Sequence, residues 1–307
     1  MRDETKGVGS RYLLPTSRCL AAHRLGPVMV GVLYIVATPI GHLEDISLRA
    51  IRVLKEVALI AAEDTRHTQT LLRHYGIRTA VTSYHEHNER TKARMLVDRL
   101  RQGADIALVS DAGTPAISDP GYRLVSEASR AGIKIVSVPG ASALTAVLAA
   151  SGLPTDRFVF EGFLSPKKKE RRGRLRDHRE EKRTLVFFEA PHRLRQSLDD
   201  ICEILGDREI VLAREISKIH EEFLRGPVSE VMQRLAEGEI RGEVTLVVRG
   251  SRGEPPVAQG DLRAEISKLR ADGVRVKEIA EILGEKYGAS KKEIYHLAVA
   301  AEKDPKS

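Results

Sequence analysis

The stretch "DIALVSDAGTPAISDPG", Asp105 to Gly121, passes from six residues of hydrophobic strand pattern into eleven that hold two Gly, two Pro and two Asp, with a Ser and a Thr. A bare connector needs only a few turn-forming residues. Gly113 and Gly121 permit close approach of a ligand to main chain, Pro115 and Pro120 fix the path, and the small side chains leave room; this is the chemistry of a binding loop. "PGASAL", 139 to 144, leads straight into an apolar helix, whose N-terminus can receive an anion or a carboxylate. "HEH", 85 to 87, puts two imidazoles on one face of an extended segment, but no third ligand stands at a fitting spacing, so no metal is expected. The sequence has no G-x-x-x-x-G-K-[ST], no G-x-G-x-x-G opening its first helix and no G-x-S-x-G. A P-loop NTPase, an ordinary Rossmann nucleotide fold and an α/β-hydrolase are thereby disfavoured.

These loops need elements to hold them. "LYIVATP" (33 to 39), "VALIAAE" (57 to 63), "TAVTSY" (79 to 84), "DIALVS" (105 to 110) and "IKIVSVP" (133 to 139) read as short strands, most of them buried, with helical patterns such as "SLRAIRVLKEV" and "TKARMLVDRLRQG" between them. Such alternation predicts a mostly parallel sheet covered on both faces. Ligands bind outside the carboxyl ends of such strands, so "ATPIGHLEDIS", "AEDTRHT", "SYHEHNE", the Asp111 loop and "VPGASA" are expected to converge on one cleft. A second series follows Gly152, with "RFVFEGF", "TLVFFEA", "EIVLARE" and "EVTLVVRG" as strands of a second α/β domain that is partly antiparallel. Beyond the Gly/Pro-rich linker, 251–260, three amphipathic helical patterns occupy 261–303, the first two stopped by Gly273 and Gly288. They resemble a helix-turn-helix unit, but their nearly balanced charge weakens a direct DNA-binding reading.

At 307 residues, 42% hydrophobic and 30% charged, the chain is long enough for two domains or more. Its two cysteines, Cys19 and Cys202, make neither a disulfide framework nor a zinc spacing, which fits a reducing, cytoplasmic setting. The longest apolar run, Val28 to Ala37, is too short to span a membrane, and no membrane association is expected. Residues 1–32 read as a flexible extension. Of the net charge of +7, the run Lys167 to Arg183 accounts for +6, with ten Lys/Arg against four Asp/Glu. That run suits either a polyanion, nucleic acid above all, or a solvated helix laced with Glu/Arg pairs.

Taken together, "LYIVATPIGHLEDIS", "AAEDTRHTQTLL", "SYHEHNE", "VSDAGTPAISDPGYRLV", "VPGASALTAVLAASGLPTDRFVFEGFLSPKKKERR", "FFEAPHRL" and "AREISKIHEEFLRG" resemble the small-subunit ribosomal RNA methyltransferases of the I type, in the tetrapyrrole methylase superfamily. The resemblance covers about Leu33 to Gly250, and the last three helices are similar to that family's own C-terminal domain. Residues 1–32 have no counterpart, and Met29 stands where a family member would start. One departure is Ala141, in "PGASA", where the family tends to carry Pro.

The resemblance implies an α/β fold of two domains, 33–151 and 152–250, with a cofactor cleft between them and a small C-terminal three-helix domain. It implies S-adenosylmethionine as cofactor, the ribose 2′-hydroxyl of a cytidine in the decoding region of small-subunit rRNA as acceptor, and a homodimer. Cofactor-binding positions carried over are Pro39 after the first strand, then Asp111, Gly113, Thr114 and Ile117 in the opening loop, and Ser142 and Ala143 in "PGASA". Across the cleft they are Glu189, Ala190, Pro191 and Thr245. RNA-binding positions are Arg66, Lys167, Lys168, Lys169, Arg171 and Arg172. Candidates for a general base are Asp64, His85 and Glu86 at strand ends, with Glu189 and His192 opposite. Asp64 equally suits an N-cap for a helix beginning at Thr65, and Arg66 suits either a phosphate or a pair with Asp64. Two rivals remain: a precorrin-type tetrapyrrole methyltransferase, against which the basic run argues, and a nucleic-acid-binding regulator.

Overall fold

The computed structural model describes residues 30–235, 240–251, 259–287 and 291–300. Five strands, β1 (Leu33–Val36), β2 (Leu59–Ala62), β3 (Val81–Ser83), β4 (Ile106–Val109) and β5 (Ile135–Val138), form one sheet in the order β3-β2-β4-β1-β5. Every pairing in it is parallel. Parallel neighbours require crossovers, here α1 (Leu48–Glu56), α2 (Thr65–His74), α3 (Glu89–Arg101) and α4 (Tyr122–Arg130). Alternate residues of β4 serve the two faces. Ala107 and Val109 pack with Val53, Leu54 and Leu71 of α1 and α2, whereas Ile106 and Leu108 pack with Leu96, Leu100 and Leu124 of α3 and α4. Burial on both faces is why the central strands β2 and β4 are unbroken apolar runs rather than alternating ones, whereas the edge strands β3 and β5 are less buried and carry Thr82, Ser83 and Ser137.

The second sheet comprises β6 (Phe158–Phe163), β7 (Thr184–Glu189), β8 (Glu209–Arg214), β9 (Glu222–Pro227) and β10 (Val244–Val248), in the order β6-β7-β10-β8-β9. Only β6 and β7 run parallel; the other pairings are antiparallel. β9 has no counterpart among the strands read from sequence. Its Arg225, Gly226 and Pro227 spoil a strand pattern, and they are tolerated because β9 lies at the sheet edge. Helices α6 (Lys168–Asp177), α7 (Leu194–Leu205) and α8 (Val228–Arg234) cover the outer face through Leu175, Leu198 and Val231. The inner face is covered by α5 (Ala143–Ser151), which follows β5 of the first sheet; its Val147 and Leu148 pack on Val186, Val211 and Val247. One apolar helix thus joins the two halves and leaves a cleft beside its N-terminus.

Helices α9 (Gln259–Ala271), α10 (Val276–Tyr287) and α11 (Lys291–Ala300) share a core of Leu262, Ile266, Ile279, Leu283 and Ile294. Gly273 ends its segment at a φ of +80°, whereas Gly288 and most of 251–260 lie outside the described residues. α9 nevertheless begins at Gln259, inside the stretch read as linker. The reading of 1–32 as an extension needs a similar correction at its end, since residues 1–29 lie outside the described ones but Gly31 and Val32 are held by the body. Gly31 N–H donates to the Leu100 carbonyl at 2.8 Å, Val32 N–H donates to Asp105 Oδ1 at 2.7 Å, and a Cβ at Gly31 would lie 2.1 Å from the Ala104 oxygen.

Candidate active site

A cavity of about 420 Å³ opens between the two sheets. The first half contributes loops at the carboxyl ends of its strands: Ile40 after β1, Glu63 after β2, Asp111 to Thr114 with Ile117 and Asp119 after β4, and Ser142 and Ala143 after β5. From the second half come Phe163, Phe188, Glu189, Ala190 and Pro191, with Gly242 to Thr245.

Local chemistry fixes the long loop. Thr38 and Gly113 exchange both backbone hydrogen bonds, at 2.9 and 3.0 Å, in an isolated antiparallel bridge. Gly113 has a φ of +83°, so its glycine identity answers a backbone requirement, and both its amide groups are already occupied by Thr38. Thr114 Oγ1 donates to the Ala141 carbonyl at 3.4 Å, tying this loop to the "PGASA" turn. Ala116 and Ser118 also adopt positive φ, 68° and 64°, a strain that proteins retain chiefly where a site demands it. A second strained loop faces it: Glu215 and Ser217 have positive φ, and Ser217 Oγ bonds Asp45 and accepts from the His42 N–H at 3.3 Å. These contacts hold the halves together across the cleft.

The cavity is acidic. Asp111 Oδ1 accepts from the Asp64 N–H at 3.0 Å, and Glu63 Oε2 accepts from the Asp111 N–H at 3.5 Å. Burial, and then the neighbouring charges of Glu63 and Asp111, push the Asp119 carboxyl up to about 6. Burial and Asp111 likewise raise Glu63. Carboxylates crowded in this way favour a bound cation. Glu189, although it lines the cavity, is committed: its carboxylate accepts from Ser197 Oγ, from Arg193 Nη2 at 2.9 Å and from the Ala190 N–H at 2.8 Å, and so fixes the Ala190-Pro191 turn. At the α5 N-terminus, Ser142 makes no side-chain cap, and its neighbour Ala143 also faces the cavity.

All the cofactor positions carried over by resemblance line this cavity except Pro39, which lines an adjoining pocket of about 280 Å³ that shares Ile40, Asp111, Ala112 and Glu243 with it. The base candidates fare differently. Asp64 caps α2, accepting from the Arg66 N–H at 2.8 Å; that bond, reinforced by the Arg66 guanidinium at 3.4 Å, holds its carboxyl below the usual range. His85 and Glu86 do not line the cavity; they follow β3, an edge strand separated from β4 by β2. His85 instead meets Asn88 Nδ2 through Nε2 at 3.0 Å, and Glu86 is exposed. His192 is exposed in the 3-10 turn Pro191–Arg193.

Of the positions read as RNA-binding, Lys167, Lys168, Lys169 and Arg66 are exposed. Arg171 is not: it is 2% exposed, and its Nε donates to Asp200 Oδ2 at 2.7 Å. Arg172 reaches Asp200 Oδ1 at 2.8 Å and also pairs with Glu203. Period 3.6 turns one side of a charged helix onto α7, and there the arginines serve folding. Sequence reasoning missed Glu63, Asp119, Phe163, Phe188, Gly242 and Glu243. Glu63 and Asp119 adjoin strand-end motifs that were already conspicuous, but the two phenylalanines look like ordinary core. Among the described residues no cluster of three or more His, Cys, Asp or Glu is arranged to hold a metal ion, and no helix is long and apolar enough to cross a membrane.

The tetrapyrrole (corrin/porphyrin) methylases match residues 32–232. A ribosomal RNA small subunit methyltransferase I of Halalkalibacterium halodurans is 47% identical over 87% of this chain and 94% of its own. The protein of that name from Pseudomonas aeruginosa is 48% identical over 88% and 97%. The chain belongs to the ribosomal RNA small subunit methyltransferase I family. Among solved structures, a diphthine synthase covers 71% of the chain and 90% of its own at a TM-score of 0.58 and 16% identity. A cobalt precorrin-4 methyltransferase covers 71% and 94% at 0.52 and 19%. At these identities the likeness is one of fold, and it agrees with the two-sheet α/β architecture of this chain.

Proposed function

We propose that the chain transfers the methyl group of S-adenosylmethionine to the ribose 2′-hydroxyl of a cytidine in the decoding region of small-subunit rRNA. The observation that carries this is identity near one half, over almost nine tenths of the chain, to proteins named for small-subunit rRNA methylation. The cavity suits the cofactor. Glu63, Asp111 and Asp119 suit its ammonium and sulfonium charges, the open α5 N-terminus suits its carboxylate, and Ile40, Phe188 and Pro191 give apolar surface for its adenine.

When bound, the cofactor supplies a methyl group already activated by positive sulfur. The chain's own task is then alignment of acceptor and donor, an effect of about 7–11 kcal/mol when geometry is held well. The paired loops joined by Ser217 and Asp45 provide that rigidity. Lys167, Lys168 and Lys169, with Arg66 on the first half, hold RNA phosphates, while Arg171 and Arg172 hold α6 in place. The working form is a cytoplasmic homodimer, a state that light scattering measures directly.

Methyl-labelled S-adenosylmethionine incubated with small ribosomal subunits, free rRNA and a precorrin in parallel tests the reading. Label in 2′-O-methylcytidine from subunits or rRNA is expected. Label in the precorrin alone, or on a nucleobase, overturns it.

A further inference from the structure

Strand β6 carries a register shift between Phe160 and Phe163: Phe160 pairs with Val186, and Phe163 with Phe188. The shift decides which way Phe163 faces. Val159 packs with the outer-face core and Phe160 with the inner one, so unbroken alternation would send Glu161 and Phe163 outward, towards α6. Glu161 does point there, bonded to Arg174 and to His178 Nε2 at 2.9 Å. Gly162, at a φ of +66°, then absorbs the extra residue, and Phe163 turns onto the cleft face.

Its ring packs edge-on to Phe188 with centroids 5.5 Å apart, lines the cavity and remains 57% exposed. Ile117, also exposed, lines the same cavity from the loop of the first half, whose Ser118 Oγ would lie 3.1 Å from a Cβ at Gly162. Four residues beyond Phe163 begin the exposed cations Lys167, Lys168 and Lys169. A large aromatic side chain directed by a bulge to a cavity rim, next to exposed cations, has the makeup of a nucleobase platform.

We propose that Phe163 is the stacking platform for the target nucleobase of the RNA, placing its ribose at the cavity mouth. This rests on the RNA methyltransferase reading above. Phe188, Ile40 and Pro191 serve the enclosed cofactor, whereas the exposed ring of Phe163 faces the solvent from which RNA arrives.

The test uses the full chain. Phe163→Ala is expected to raise KM for the RNA substrate by roughly 5- to 150-fold, the effect of one base stacked on one aromatic ring, with the calorimetric Kd for S-adenosylmethionine unchanged. Phe163→Tyr restores KM, and Phe163→Leu, apolar but without a ring, does not. The chain contains no tryptophan, so Phe163→Trp also reports binding through its fluorescence. Quenching by an rRNA fragment but not by S-adenosylhomocysteine supports the proposal; quenching by S-adenosylhomocysteine alone, or a normal KM in Phe163→Ala, overturns it. A wild-type chain that methylates no RNA would instead strike the functional reading beneath it, and so would be told apart.

Discussion

Replacing Asp119 by Asn should stabilise the protein at neutral pH and weaken its hold on the cofactor. Burial and the charges of Glu63 and Asp111 raise the Asp119 carboxyl from 3.8 to about 6. The unfolded chain ionises near 3.8, so between these values the folded state keeps a proton that the unfolded state has lost. The stability this proton confers is fully present below 3.8, declines as pH rises towards 6, and is absent above it. About two pKa units correspond to an upper bound of about 3 kcal/mol, and solvent screening of a partly exposed group reduces this to about 1–2 kcal/mol. Asp119→Asn should therefore raise urea stability by about 1–2 kcal/mol at pH 7.5, and by about a third of that at pH 4.5, where linkage leaves only part of the penalty. Calorimetric titration of the same variant at pH 7.5 should show weaker binding of cationic S-adenosylmethionine, and wild-type affinity should climb as pH rises through 6. A stability difference independent of pH, or a variant less stable at pH 7.5, refutes the account of crowded carboxylates awaiting a cation.

Three further outcomes follow from the geometry. Arg171→Ala leaves Asp200 buried with only Arg172 for company, and should cost about 3 kcal/mol in chemical denaturation, the low end for a broken buried pair. At Gly113 the φ of +83° penalises any side chain while a Cβ would make only ordinary contacts, with Ile40 at 3.5 Å and the Ala141 oxygen at 3.8 Å, so Gly113→Ala should lose about 1–2 kcal/mol with cofactor affinity kept, and Gly113→Val should melt earlier still. Replacing exposed Lys168 and Lys169 together by Ala should leave the melting temperature unchanged and reduce the salt slope of RNA binding by roughly 1.4–1.8.

Local pattern was enough to reveal the parallel sheet, since strands buried on both faces must be apolar throughout, and the Gly- and Pro-rich loops that end them could be placed on one edge. It also singled out the loop around Asp111, which lines the cavity, because small residues and fixed turns are properties of the chain itself. What it left undecided depends on neighbours distant in sequence. Arg171 and Lys168 are equally basic and three residues apart, yet one is buried against Asp200 of α7 and the other is exposed, a difference made by the face that α6 turns inward. Asp64 and Asp119 are both carboxylates in strand-end loops. Asp64 is satisfied by its own helix, whereas Asp119 is crowded by Glu63 and Asp111 from the loops after β2 and β4, so only assembly of the sheet separates their acidities. Nothing local marks Phe163 as a cleft residue, since unbroken alternation would turn it towards α6; a single extra residue at Gly162, fixed by Glu161 bonding to Arg174 of α6, turns it to the cleft. Period and composition act within a segment, whereas burial, charge crowding and strand register arise between segments, and so the tertiary structure alone assigns them.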